Sequence, residues 1–288
     1  MKIPTFWMRH EGDVQTPEGR QLRLFAWGWS ESSAGDAESK ARERFASLEQ
    51  RVTQGLELPR GYAYGDRPVR EQILDRVTAA DGSVDALLTR NSYGAVVLNT
   101  SRAMFVDVDA LETTESGPRG HGLLASVFGR KKSEEPVEDT RLTDIRSTLR
   151  RAGGSFRVYR TAAGYRLLAT DRAFTPASSE SESLMRSVGA DPAFIQLCRI
   201  QESFRARLTP KPWRMRMAHS VPPAQFPVEP GAQPDLDRWL KEYERASQSR
   251  ATCSFVEQIG SSAIDPAIEP IVRLHDDRTR ATSGLLLA

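Results

Sequence analysis

The chain has 288 residues, and 40 basic against 38 acidic side chains leave a formal charge of +2. That length suits one large domain or two closely packed halves, and 39% apolar with 27% charged residues excludes a wholly disordered chain. No apolar run approaches the ~18 residues of a membrane-spanning helix, the N-terminal stretch holds no signal-peptide core, and two cysteines make no disulfide framework, so a cytoplasmic protein off the membrane is expected.

Along the chain, Gln21–Ser30 reads as a strand ending near Gly28, and Ser32, Ser33 and Asp36 offer helix caps. Ala41, Phe45, Leu48 and Val52 recur at amphipathic spacing and predict a helix from Ala37 to about Gln54. A short helix is expected over Val69–Thr78. Three extended runs follow, Val84–Thr89, Ala95–Asn99 and Met104–Val108, with turn-sized breaks that suggest an antiparallel meander. Residues 112–139 carry Gly117, Pro118, Gly120 and Gly122, then basic Arg130–Lys132 and four acids, and read as a long loop or insertion between the segments 1–111 and 140–288.

A helix over Thr140–Ala152 should stop at Gly153–Gly154, and Ser155–Thr161 with Tyr165–Thr170 should form a hairpin. Helical patterns cover Ser181–Val188 and Pro192–Arg207. Seven of the 17 prolines lie between Pro210 and Pro234, which predicts an extended strap over 209–234. A helix from Pro234 to about Ser247 and a strand over Thr252–Gln258 complete the pattern. The apolar segment Ile268–Leu274 then ends at His275-Asp276-Asp277.

Three groups of side chains carry the chemistry. In Met104-Phe-Val-Asp-Val-Asp109 a strand puts Asp107 and Asp109 on one face, about 7 Å apart. Such a pair faces solvent, pairs with arginine, or holds a hard cation such as Mg²⁺ or Mn²⁺ through oxygen ligands. Downstream, Arg160, Thr161 and Arg166 offer donors to a phosphate, or neutralise those carboxylates structurally. A basic, aromatic stretch holds Arg205, Arg207, Lys211, Trp213 and Arg214; it suits a nucleic-acid backbone with bases stacked on the ring, or a strap pinned by a buried tryptophan. Walker, dinucleotide-fingerprint, zinc and nucleophile-elbow motifs are absent from the sequence, which argues against the enzyme classes built on them.

The strand Phe105-Val-Asp-Val-Asp109, a helix, and the hairpin Arg160-Thr-Ala-Ala-Gly-Tyr-Arg-Leu-Leu168 together resemble the catalytic core of the archaeo-eukaryotic primase superfamily. The resemblance covers about a quarter of the chain and implies an RRM-like sheet bearing an Asp-x-Asp pair and, later, a Thr-x-x-Gly-x-His-like motif. Asp107 and Asp109 would then ligate Mg²⁺ or Mn²⁺, completed by Asp276 or Asp277, and Thr161 and Gly164 would sit in the nucleotide-facing turn. The family's histidine position holds Arg166, which binds phosphate but does not titrate, so a catalytically degenerate relative is implied.

The expected fold is therefore α+β, an antiparallel RRM-like sheet packed with helices and preceded by a smaller strand–helix half. Two functions compete. One is a primase-polymerase-like protein that binds nucleotide or nucleic acid through a divalent metal and, if active, transfers nucleotides. The other is a non-enzymatic interaction protein whose Asp and Arg clusters are structural ion pairs, meeting a protein partner through 112–139 or 209–234.

Overall fold

A computed structural model describes residues 1–58, 68–79, 82–109 and 140–288. The 112–139 insertion, with its proposed partner surface, lies outside the described residues. The N-terminal unit is a hairpin of β1 (Phe6–Gln15) and β2 (Gln21–Ser30) covered on one face by α1 (Ala34–Thr53), which Ser33 caps by accepting from the Asp36 amide at 3.1 Å. Strand β1 had no clean alternation to betray it. Alternation puts Val14 and Ala26 on the α1 side, where they meet Phe45 and Val52. Gly28 lets the helix approach: a Cβ there would stand 2.0 Å from the Ala37 carbonyl oxygen.

A second, antiparallel sheet has the order β3-β4-β5-β9, formed by β3 (Gln72–Thr78), β4 (Val84–Arg90), β5 (Val96–Thr100) and β9 (Phe204–Arg207). Two expectations fail here. The segment expected as a helix over 69–78 is an edge strand whose register with β4 shifts twice, and it keeps only Ile73 and Val77 half-buried. The helix expected to reach Arg207 stops at Glu202, whose left-handed φ of 47° ends α4 (Pro192–Gln201) and releases Phe204–Arg207 to pair with β5.

The third sheet, also antiparallel, runs β10-β7-β8-β6, from β6 (Phe105–Asp109), β7 (Phe156–Thr161), β8 (Gly164–Ala169) and β10 (Cys253–Ile259). The expected meander therefore holds for β4 and β5, while β6 leaves it for the other sheet. Strands β6 and β7 run parallel on either side of β8, and α2 (Thr140–Ala152) lies between them in the chain, a split β-α-β arrangement. Strand β9 packs beside β6. Both sheets thus mix strands from before residue 110 and after 139, so the two expected halves share them.

One face of the third sheet packs Val106, Val108, Val158, Tyr165 and Leu167 under α2, α3 (Ser179–Ser187) and α4. The other face packs Phe105, Tyr159 and Leu168 against the second sheet and α6 (Glu269–Thr279). The proline-rich strap is pinned to α5 (Gln233–Ser247): Tyr243 Oη donates to the Pro210 carbonyl at 2.7 Å, and Trp239 Nε1 to that of His219 at 2.8 Å. No helix among the described residues is long and apolar enough to cross a membrane.

Candidate phosphate-binding cleft

Cross-strand register builds the site. Asp107 on β6 faces Arg166 on β8, which faces Tyr159 on β7, so period-two alternation lines all three across one face of the sheet. Arg166 is fully buried and grips Asp107 with both forks, Nε to Oδ1 at 2.6 Å and Nη2 to Oδ2 at 2.9 Å. Its Nη1 donates to the Arg207 carbonyl at 2.7 Å and ties β8 to β9. Burial alone would raise the Asp107 carboxyl, but the charge and hydrogen bonds of Arg166 win and hold it below its ordinary value. Asp107 is thus an arginine-neutralised carboxylate with 44% of its side chain still exposed.

Behind Arg166 stands the histidine that closes the apolar segment Ile268–Leu274. His275 is buried on α6, its Nε2 3.4 Å from Arg166 Nη1 and its Nδ1 3.0 Å from Asp276 Oδ1. Burial presses its pKa down to about 4 against the pull of Asp276, so the ring is neutral at pH 7. The geometry then assigns the proton to Nδ1, which donates to Asp276 while Nε2 accepts from Arg166. Asp276 also accepts from Tyr159 Oη at 2.7 Å and Arg157 Nη2 at 2.6 Å. The periodic Ile271, His275 and Thr279, all buried, are the signal that marks an inward-facing histidine.

Asp107 and Asp109 do share one strand face and both line a cleft of ≈380 Å³. Asp276 is committed to His275, Tyr159 and Arg157, and Asp277 is exposed on α6, so neither is brought to the cleft. Among the described residues no group of three or more His, Cys, Asp or Glu side chains is placed to hold a metal ion. Arg160 lies on the opposite sheet face, hydrogen-bonded to Tyr165 Oη with its guanidinium over that ring, because it is one residue out of phase with Tyr159 and Thr161. Arg166 is spent on Asp107. Thr161 lines the cleft, and Gly164 sits opposite Asp109 where the hairpin turns.

Of the expected nucleic-acid contacts, Arg205 is structural. It is buried and donates to Glu71 at 2.7 Å, Asn99 at 2.7 Å and Gln201 at 2.9 Å, while Thr89 and Asn99 complete the network. Glu71 directly precedes β3, in the segment whose pattern predicts a helix, and nothing in that pattern marks it as a partner for Arg205. Arg207, Lys211 and Arg214 instead line the same cleft as Asp107 and Asp109. Burial first, then repulsion from Arg207 and Arg214, lowers the Lys211 pKa, and burial followed by Arg166 lowers that of Arg207. Trp213 is 50% exposed, edge-on to Tyr93 with centroids 5.2 Å apart and with Lys211 Nζ 5.3 Å from its centroid. The cleft lining thus brings Arg207, Lys211 and Arg214 together with Asp109, Asp191 and the already paired Asp107 and Glu71, and with the Tyr93 ring, against which Trp213 packs.

Comparisons with protein-family models, with curated proteins and with solved structures return no match for this chain.

Proposed function

We infer that the cleft binds the phosphate end of a nucleotide or nucleic acid, in a primase-polymerase-like protein that does not turn it over. The supporting observation is that Arg207, Lys211 and Arg214 line one cleft with Asp109, Asp191 and an Asp107 already neutralised by Arg166. Forked guanidiniums and an ammonium at a partly desolvated site suit phosphate oxygens, and an anion relieves their mutual repulsion. Tyr93 and Trp213 supply ring surface for a base. For Mg²⁺ or Mn²⁺ this chain offers Asp109 and the outward lone pairs of Asp107. That donor set falls short of the three acids the resemblance implies, because Asp276 is turned into the His275 network. Binding without nucleotidyl transfer follows.

Calorimetric titration of a nucleoside triphosphate tests this with and without Mn²⁺. The inference expects metal-free binding, a Mn²⁺ increment lost in Asp109→Ala, and no polymerisation on any primed template. The competing reading, an interaction protein with structural ion pairs, draws on the Arg166–Asp107 and Arg205–Glu71 pairs. It predicts no nucleotide binding under either condition.

A further inference from the structure

Of the cations in the cleft, Lys211 differs in chemistry from the arginines beside it: an amine can give up its proton and act as a nucleophile, whereas a guanidinium does not. Its backbone is held in place. Pro210 and Pro212, both buried, flank it, and the Pro210 carbonyl accepts from Tyr243 Oη at 2.7 Å. The Arg214 amide donates to the Lys211 carbonyl at 3.0 Å, closing the short turn Pro212–Arg214 and bringing Arg214 into the same lining. Other lysines are placed differently: Lys2 pairs with Glu202 at 2.6 Å, Lys40 with Asp36 at 2.7 Å, and Lys241 is exposed on α5. Lys211 Nζ makes no ion pair among the described residues and lies 5.3 Å from the Trp213 ring centroid. Burial, then repulsion from Arg207 of β9 and from Arg214, lowers its pKa, while Asp109 and Asp107 of β6 pull the other way.

A half-buried amine on a fixed stem, with guanidiniums at its side, suits a carbonyl compound that carries an anion. The guanidiniums hold the anion, and the nitrogen is then within reach of the carbonyl carbon. A cleft of ≈380 Å³ admits a small molecule of this kind. We propose that Lys211 forms an imine with a phosphorylated aldehyde held in the cleft by Arg207 and Arg214. In that step the neutral nitrogen adds to the carbonyl carbon and a C–N bond forms. The carbonyl oxygen then leaves as water with both nitrogen protons, and the nitrogen lone pair completes the C=N bond. Hydrolysis reverses the reaction, and nothing is oxidised or reduced. The proposal rests on the affinity of the cleft for phosphate argued above, but not on the ligand being a nucleotide.

Reductive trapping on the full chain tests it. The protein is incubated with glycolaldehyde phosphate, or with glycolaldehyde, in the presence of cyanoborohydride, and the labelled lysines are located by peptide mass spectrometry. The phosphorylated compound should label Lys211 about tenfold faster than Lys241, and the unphosphorylated one should show a smaller preference. Arg214→Ala should reduce the preference, and Lys211→Arg, which keeps the charge, should remove the fast label with circular dichroism unchanged. Equal labelling of Lys211 and Lys241 in the wild-type chain, or a preference no larger with the phosphate than without it, would overturn the proposal; neither result depends on a variant that folds. A chain that binds nucleoside triphosphate but is not labelled in this way counts against the imine alone. Fast labelling of Lys211 in a chain that binds no triphosphate supports the imine and counts against the nucleotide reading alone.

Discussion

Arg166 is a full charge at the centre of a buried sheet face, and only its neighbours make that tolerable. Asp107 takes two of its donors, and the Arg207 carbonyl a third. Removing one partner of such a pair strands the other charge. Asp107→Ala should therefore cost about 2 kcal/mol in chemical denaturation, below the range for a wholly buried pair because Asp107 keeps a solvent-facing side. The double change Asp107→Leu with Arg166→Met should recover most of it, since apolar replacements of buried ion pairs are often neutral. His275 adds a pH dependence. Its folded pKa of about 4 lies below the ordinary 6.5, so the unfolded chain binds more protons between those values. Stability is then fully present above pH 6.5 and declines as pH falls toward 4, by about 3 kcal/mol. Urea melts across that window should show the decline, and His275→Gln, which does not titrate, should flatten it. At this scale the shared face of Asp107 and Asp109 was legible, because strand alternation fixes it, whereas the same alternation turns Arg160 to the opposite face. Whether the hairpin arginines meet phosphate or those carboxylates stayed open in the sequence, and the register between β6 and β8, which depends on long-range contacts, decides it for Arg166 in favour of carboxylate.

Elements were readable where periodicity was strong and local. The amphipathic stripe of α1, the α2 helix with its Gly153–Gly154 stop, the β7–β8 hairpin and α5 all fall close to expectation. Strand β3 did not, because Ile73, Leu74 and Val77 fit one helical turn as well as an irregular edge strand. Strand β9 did not either, since Glu202 in a left-handed conformation is a stop that composition does not announce. The docking of α1 on the hairpin makes a contrast between two glycines. Gly28→Ala drives a methyl into the Ala37 and Ala41 backbone and should cost about 3 kcal/mol by thermal or urea unfolding. Gly35→Ala, with nothing within 4 Å of its Cβ, should instead stabilise by about 0.5 kcal/mol through helix propensity. Equal effects at the two positions would contradict the close approach of α1 to β2.

At the scale of the molecule, the α+β class and its antiparallel sheets were legible from the alternating strand and helix patterns, whereas the joining of the two sheets through β6 and β9 was not. That junction is what makes the cleft: β9 brings Arg207, the strap after it brings Lys211 and Arg214, and β6 brings Asp107 and Asp109 to the same lining. With a net charge of only +2, any anion affinity of this chain has to be local, and the cleft is where the proposed function places it. The decisive measurement is the dissociation constant of a metal-free nucleoside triphosphate for the intact chain and for Lys211→Ala/Arg214→Ala, each at 50 and 200 mM salt. The cleft reading predicts at least a tenfold loss in the double variant and a shallower salt dependence. Identical constants for the two proteins, or no measurable binding to either, would contradict it.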